Sequence, residues 1–256
     1  MAQREEGTLA LPGGERLAWR RLPAAAQRPT LLWLPGLKSD MSGIKACAME
    51  RFAAARGLGY LALDYRGHGL SDGSFEDCVL SDWRADVLSA VDRLTGGPLL
   101  LVGSSMGAWL ALLCALARPC RAAALVLVAP APDFTERLLL PSLGEEQHSA
   151  LRRRGRVALP SAYGEPLVIS RALLEDARRW LLLDGAIAYA GPVRLLHGMA
   201  DPDIPWRHAL QLLDALESRD VTLTLVRDGD HRLSREADID LLRALCEDAL
   251  RALESG

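Results

Sequence analysis

The sequence of 256 residues contains no asparagine, only two lysines among its 30 basic residues, and no uninterrupted apolar run of about 18 residues. Without such a run we expect no membrane span. The N-terminal stretch carries acidic residues and no apolar segment, so it does not suggest a targeting signal. A formal net charge of −3 gives no large field that would attract nucleic acid or anionic lipid. We therefore expect a cytoplasmic protein without a nucleic-acid partner. The arginine bias is typical of a GC-rich bacterial genome.

The five cysteines are odd in number and scattered, and no two of them have a C-x-x-C spacing. This arrangement argues against a disulfide framework and against a zinc site. We expect free, buried thiols and a protein that works without a metal or another cofactor. The cysteines are Cys47, Cys78, Cys114, Cys120 and Cys246.

Half of the residues are apolar, and short runs rich in leucine, valine and alanine recur with helical patterns between them. Near-continuous apolar strands separated by helices predict an α/β fold with a mostly parallel, doubly wound sheet. The alternating residues around Pro12, Gly13 and Gly14 predict an N-terminal hairpin at one edge of this sheet. The expected strand runs begin at Thr30, Gly59, Pro98, Ala123, Val193 and Val221.

One segment interrupts this alternation of strands and helices. About sixty residues separate the strand ending near Ala129 from the strand starting at Val193, whereas connections in compact domains are normally a few residues long. We predict a helical cap inserted at roughly 131–190 into a single domain of residues 1–256. The cap contains a basic run, Arg-Arg-Arg-Gly-Arg at 152–156, which is either a solvated face or a site for a carboxylate.

Residues 103–107, Gly-Ser-Ser-Met-Gly, fit the pattern G-x-S-x-G only with Ser105 at the centre. An apolar strand precedes this stretch and an apolar helix follows it, as the sharp turn around a nucleophilic serine requires. Ser104 is then a turn residue. The alternative is a glycine–serine loop that only caps the helix, but such a cap does not need glycine on both sides.

A serine nucleophile needs a base, and the base needs a carboxylate that holds its tautomer. In the fold that uses this elbow, the partners follow in the order serine, acid, histidine, each after a later strand. His231 follows the last expected strand and is the predicted base, while Asp201 and Asp203 both follow the strand before it. For the oxyanion we expect the backbone N–H groups of Met106 and Leu37.

Three aromatic residues are candidates for an acyl-binding pocket, although ordinary packing explains each of them equally well. They are Trp180, Trp206 and Tyr163.

Taken together, these segments resemble the α/β-hydrolase superfamily over nearly the whole chain. "LPGLKSD" resembles its oxyanion loop with Pro35 in place of the usual histidine, "DYRGHGLSDG" resembles its D-x-R-G-x-G-x-S segment, and "GDH" its histidine loop. "HGMADPDIP" resembles its acid loop, and this match implies that Asp201 is the catalytic carboxylate. Asp203 stays the alternative.

Five segments carry a more specific resemblance: "LPGLKSDMSGIKACAMERFA", "RGHGLSDGSFED", "GSSMGAWLAL", "LLHGMADPDIPW" and "DGDHRLSREADIDLL". They resemble the subfamily of mitochondrial palmitoyl-protein thioesterases, also called mycophenolic acid acyl-glucuronide esterases. It implies that Ser105, Asp201 and His231 cleave, through an acyl-enzyme, either the long-chain S-acyl cysteine of an acylated protein or a small-molecule acyl ester such as an acyl glucuronide. A peptidase or acyltransferase would use the same triad. A rival interpretation is a non-catalytic protein that binds a ligand in the same fold.

Overall fold

The computed structural model describes residues 3–25, 28–160 and 166–254. The strands in these residues are β1 (Glu5–Ala10), β2 (Arg16–Leu22), β3 (Thr30–Leu34), β4 (Gly59–Leu63), β5 (Leu99–Ser104), β6 (Ala122–Val128), β7 (Arg156–Leu159), β8 (Leu167–Ser170), β9 (Val193–Gly198) and β10 (Val221–Val226). The α-helices are α1 (Ile44–Arg56), α2 (Leu80–Leu94), α3 (Met106–Ala117), α4 (Leu140–Ser142), α5 (Glu145–Arg154), α6 (Arg171–Ala177), α7 (Arg207–Ala215) and α8 (Glu236–Glu254).

Eight of the strands form one sheet in the order β1-β2-β4-β3-β5-β6-β9-β10. Strand β2 is antiparallel to both of its neighbours, and the pairs from β4 to β10 are parallel. The predicted mostly parallel sheet and the N-terminal hairpin at its edge are therefore confirmed. None of the helices in the described part of the chain is long and apolar enough to cross a membrane.

The central strands are apolar along their whole length because both faces of the sheet are covered. Strands β3, β4 and β5 are buried at every residue. Alternate residues of a strand point to opposite faces, so Leu32 and Leu34 join the core under α2 and α3, whereas Leu31 and Trp33 join the core under α1 and α8. Two apolar layers thus cover the two faces of the sheet.

The carboxyl ends of parallel strands lie along one edge of a sheet, and loops at that edge form the site in open α/β folds. The loops that follow β3, β5, β9 and β10 meet at this edge. They carry Leu37, Ser105, Asp201 and His231, respectively. The fold therefore brings together the sequence segments in which we predicted functional residues.

The segment between β6 and β9 contains the predicted helical pieces and also a two-stranded hairpin. A π-helix at Thr135–Leu139 continues into α4, followed by α5, and a 3-10 helix at Arg178–Trp180 extends α6. Strands β7 and β8 pair antiparallel between these helices. We expected helices alone in this segment, because the two strands are short and carry no alternation of apolar and polar residues long enough to indicate them.

Asp133 joins the two ends of this inserted segment. Its fully buried carboxylate accepts the backbone N–H groups of Leu182, at 2.9 Å, and Leu183, at 2.7 Å. Asp133 has a φ of 58°, a left-handed conformation that aspartate tolerates better than most residues. The Asp133 carboxylate therefore holds Leu182 and Leu183, some fifty positions later in the chain, at the base of the cap.

We predict that Asp133→Gly lowers the free energy of unfolding by about 1–3 kcal/mol, because two N–H groups lose their acceptor. Glycine suits the positive φ, so the substitution adds no backbone strain. Urea denaturation measures the loss, and limited proteolysis shows whether cleavage concentrates in residues 131–190. The control is Asp184→Ala, which removes only an exposed ion pair with Arg137 and should change little. Equal stability of the two variants would contradict this role of Asp133.

Candidate active site

Ser105 occupies the one-residue turn between β5 and α3 with a φ of 56° and a ψ of −120°. Such a conformation is strained for any residue except glycine, and it lifts the side chain out of the strand. A Cβ on Gly103 would lie 2.3 Å from the Gly107 carbonyl oxygen, and one on Gly107 would lie 2.0 Å from the Leu34 carbonyl oxygen. Both glycines are therefore required by close backbone contacts around the turn.

His231 connects Ser105 to Asp201 through its two ring nitrogens. Its Nε2 lies 3.1 Å from the Ser105 Oγ, and its Nδ1 lies 2.7 Å from the Asp201 Oδ2. A carboxylate only accepts hydrogen bonds, so Nδ1 carries the proton and Nε2 is left as the acceptor for the serine hydroxyl. This arrangement can remove a proton from Ser105 and create a nucleophile.

The Asp201 carboxylate is fully buried and is surrounded by donors. Its Oδ1 accepts the backbone N–H groups of Asp203, at 2.8 Å, and Ile204, at 2.9 Å. Burial alone would raise the pKa of Asp201, but the contacts with His197 and His231 and the N–H groups of the loop hold it well below its usual value. Asp201 is therefore a carboxylate throughout the neutral pH range.

Of the two candidate acids, the structure places Asp201 on His231. Asp203 is exposed, and its backbone N–H bonds to Asp201. Among the described residues, Asp201, Asp203 and His231 also have ligand atoms within 4.8 Å of one another. Because Asp201 and His231 are already hydrogen-bonded to each other, this group coincides with the serine–histidine–aspartate chain.

His197 is a contributor that the sequence did not reveal. Its Nε2 lies 2.9 Å from the Ile204 carbonyl oxygen and 3.4 Å from the Asp201 Oδ2, and its side chain is fully buried. Its position four residues before Asp201 is the sequence signal that could have indicated a contact, but the turn geometry was needed to show it.

Lys45 of α1 contacts the loop that carries His231. Its Nζ donates to the Arg232 carbonyl oxygen and lies 3.4 Å from the Ser234 Oγ. Burial lowers the pKa of Lys45 to about 8, while Asp230 acts in the opposite direction. No local pattern links residues so far apart in sequence, so this support for the histidine loop could not be predicted.

The two expected oxyanion donors come from segments that lie beside Ser105. Met106 begins α3, and the first N–H groups of a helix have no partner within the helix. Leu37 follows Gly36, where an added Cβ would lie 3.3 Å from the Ser105 Cβ and 3.3 Å from the Ser104 carbonyl oxygen. The loop after β3 therefore packs directly on the serine turn.

The predicted pocket residues have different surroundings. The Trp180 ring nitrogen donates to the Ser81 Oγ at 2.8 Å, and the Arg84 guanidinium lies 4.2 Å from the ring centre, so both of these ring contacts are with α2. The Trp180 carbonyl oxygen accepts from the Trp109 Nε1 of α3 at 3.0 Å. Trp206 is half-buried immediately before α7, in the loop of Asp201. Tyr163 lies outside the described residues. A pocket role for these residues stays a prediction.

The basic run at 152–156 spans the end of α5. Arg152, Arg153 and Arg154 are exposed in its last turn, where positive charge complements the helix dipole. Arg156 forms an ion pair with Glu76 at 2.6 Å. These surroundings agree with a solvated face.

The chain is similar to known serine hydrolases over most of its length. A family model described as serine aminopeptidase, S33, matches residues 25–163. The mitochondrial palmitoyl-protein thioesterase ABHD10 of Mus musculus is 39% identical over 243 residues, covering 93% of this chain and 80% of the relative.

Two solved structures extend this similarity to the fold. A putative hydrolase from Agrobacterium vitis S4 is 41% identical with a TM-score of 0.90, and the match covers 99% of both chains. Alpha/beta hydrolase domain-containing protein 10 from mouse is 37% identical with a TM-score of 0.89, covering 97% of this chain and 99% of that chain.

We predict that a fluorophosphonate probe labels the wild-type protein and Ser104→Ala but not Ser105→Ala, because only Ser105 contacts His231. Gel fluorescence and intact mass measure the labelling. The two variants are a matched pair, since neighbouring serines lose the same hydroxyl. Labelling of Ser105→Ala equal to that of the wild type would contradict the assignment.

Proposed function

Since the chain belongs to the serine aminopeptidase S33 family of α/β-hydrolases, we propose that Ser105, His231 and Asp201 are its catalytic triad. The chain is a serine hydrolase of ester or thioester bonds, as its homology to palmitoyl-protein thioesterases indicates. The observation that carries the triad is the continuous chain of hydrogen bonds from the Ser105 Oγ through His231 to the buried Asp201 carboxylate.

The reaction proceeds through an acyl-enzyme. The His231 Nε2 takes the proton of Ser105 as the Oγ attacks the acyl carbonyl carbon, and the Asp201 carboxylate stabilises the imidazolium. The imidazolium then protonates the leaving thiol or alcohol as the carbonyl–sulfur or carbonyl–oxygen bond breaks. His231 next removes a proton from water as the water oxygen attacks the acyl-enzyme, and the imidazolium then gives this proton to the Ser105 Oγ as the acyl–oxygen bond breaks and the carboxylic acid leaves.

The oxyanion of each tetrahedral intermediate is bound by the backbone N–H groups of Leu37 and Met106. Both belong to segments in contact with the serine turn, and Met106 opens α3, whose amino end favours negative charge. Loss of one such donor typically costs a factor of about 10²–10³ in rate.

The substrate class is an acylated protein thioester or an acyl glucuronide. The mammalian relatives named palmitoyl-protein thioesterase support the first of these. The position of the cap supports a role in choosing the acyl group. Its first residue forms a backbone hydrogen bond with the nucleophilic residue, since the Ala131 N–H donates to the Ser105 carbonyl oxygen at 3.3 Å. Trp206 and Trp180 are the described candidates for contact with the acyl group.

A peptidase activity is the second candidate, since the matching family model is described as a serine aminopeptidase. A thiol or alcohol leaves with less need for protonation than an amine. The same triad therefore turns over thioesters and esters more readily than amides.

The cytoplasmic location and the bacterial source stay predictions.

We predict that a panel of acyl thioesters, acyl glucuronides and simple esters of increasing chain length is hydrolysed with the highest kcat/KM on one of the first two classes. A peptide amide of matched length is expected to turn over far more slowly. The measurement is steady-state release of thiol, glucuronic acid, alcohol or amine. Hydrolysis of the amide alone would contradict an ester and thioester hydrolase and would favour the peptidase.

We predict that Asp201→Asn lowers kcat by about 10³–10⁴, because the amide no longer holds the required histidine tautomer or stabilises the imidazolium. The matched control is Asp203→Asn, which changes the neighbouring exposed acid and should keep most of the activity. The measurement is kcat on the best ester of the panel, with the thermal midpoint of each variant recorded. A larger loss from Asp203→Asn would transfer the role of acid to Asp203.

A further inference from the structure

We propose that Tyr65 is a positioning residue for the oxyanion hole, because its hydroxyl group holds the Pro35 carbonyl beside the nucleophile turn. The proposal rests on the proposed function, in which the Leu37 N–H is an oxyanion donor. Tyr65 itself touches no reacting atom. It acts through the loop of residues 35–41, here called the oxyanion loop.

Both ends of the oxyanion loop are held by consecutive residues that follow β4. The Tyr65 hydroxyl donates to the Pro35 carbonyl oxygen at 3.0 Å, and the Asp64 Oδ1 accepts the Met41 N–H at 2.7 Å. Pro35 and Tyr65 are both buried, so water does not compete for this bond. The segment after β4 therefore defines where the loop after β3 begins and ends.

The Pro35 carbonyl lies between the tyrosine and the nucleophile turn. A Cβ on Gly107 would be 2.5 Å from the Pro35 carbonyl oxygen, and one on Gly36 would be 3.3 Å from the Ser105 Cβ. The peptide group that joins Pro35 to Gly36 thus packs against the serine turn, and its oxygen accepts the hydrogen bond from the Tyr65 hydroxyl. A rotation of this peptide would move the N–H of Leu37, the next residue.

The rest of the oxyanion loop is too short to absorb such a rotation. The Ser39 N–H donates to the Gly36 carbonyl oxygen at 3.1 Å and closes a turn, within which Lys38 has a φ of 55°. Proline has no N–H, so Pro35 offers only its carbonyl to a polar partner. The Tyr65 hydroxyl is that partner.

The tyrosine ring is itself held in place. The His68 ring packs edge-on against the Tyr65 ring, with 5.4 Å between the ring centres. The backbone N–H of His68 donates to the Tyr65 carbonyl oxygen at 2.9 Å. Burial raises the pKa of Tyr65 well above its usual value, so the hydroxyl keeps its proton and remains a donor.

Tyr60 provides a matched control on the other face of the sheet. Its hydroxyl also donates to a backbone carbonyl, that of Ala46, at 3.0 Å, and the side chain is as deeply buried as that of Tyr65. Tyr60 packs in the core under α1 and α8, and its hydroxyl donates to a carbonyl of α1 instead of one in the oxyanion loop. Tyr65→Phe and Tyr60→Phe therefore each remove one buried hydroxyl and its bond to a carbonyl.

The experiment compares kcat, KM and the affinity of an alkyl boronic acid in the wild type and the two variants. The boronic acid forms a tetrahedral adduct with the serine and places an oxygen in the oxyanion hole. For Tyr65→Phe we expect kcat and boronic acid affinity to fall together by about ten- to a hundredfold, less than the loss of a whole donor, with KM little changed. For Tyr60→Phe we expect both values to stay near those of the wild type, at a similar loss of thermal stability.

Two outcomes would overturn the proposal: a Tyr65→Phe variant as active as Tyr60→Phe, or a loss of activity in both that follows their stability. If Tyr65→Phe fails to fold, p-fluorophenylalanine at position 65 fills the volume of the hydroxyl without a donor, and p-aminophenylalanine supplies a donor. Activity with the amino group and not with fluorine supports the proposal, whereas equal activity contradicts it. A wild-type protein that neither hydrolyses esters nor takes the fluorophosphonate label would instead refute the proposed function.

Discussion

The backbone conformation of Ser105 is the constraint on which the site depends. A residue with this combination of φ and ψ is disfavoured by about 1–3 kcal/mol, so the surrounding structure must stabilise it. Three backbone bonds do so: the Ser105 N–H donates to the Val128 carbonyl oxygen at 2.9 Å, and the Ser105 carbonyl oxygen accepts the N–H groups of Ala108, at 2.9 Å, and Ala131, at 3.3 Å. Strand β6 therefore holds the turn from one side, and the glycines at 103 and 107 let β3 and α3 approach from the other.

The second requirement of the site is that the Asp201 carboxylate stays charged while buried. A carboxylate removed from water is costly unless donors replace its hydration, and Asp201 has two backbone N–H groups at one oxygen and His231 at the other. The loop that supplies these N–H groups is the same loop that brings Asp201 to the sheet edge. The loop therefore both positions the acid and replaces part of its hydration.

Most of the fold and the core of the candidate site could be predicted because their signals are local. Apolar runs indicate strands, and glycines around a serine indicate a sharp turn. Tyr65 and Lys45 could not be found in this way, since their partners lie 30 and 187 residues away, respectively. Both contacts depend on which helix or loop packs beside which, and that is settled only by the assembled sheet. For Trp180, a large aromatic residue in the cap suggested a pocket, whereas the contacts of its ring with Ser81 and Arg84 of α2 are visible only in the structure. Its pocket role stays a prediction.

The attachment of the cap limits which of its residues can change without moving the nucleophile turn. Ala131 is bonded to the nucleophile turn, Pro132 accepts a hydrogen bond from the His208 Nε2 at 2.6 Å, and Asp133 binds the far end of the segment. Three consecutive residues at the base of the cap are thus tied to three different parts of the domain. A change in acyl preference made at this base would also disturb the serine turn. A substitution that changes acyl preference without moving Ser105 is therefore expected at residues beyond this base, such as Trp180 in the cap or Trp206 beside α7.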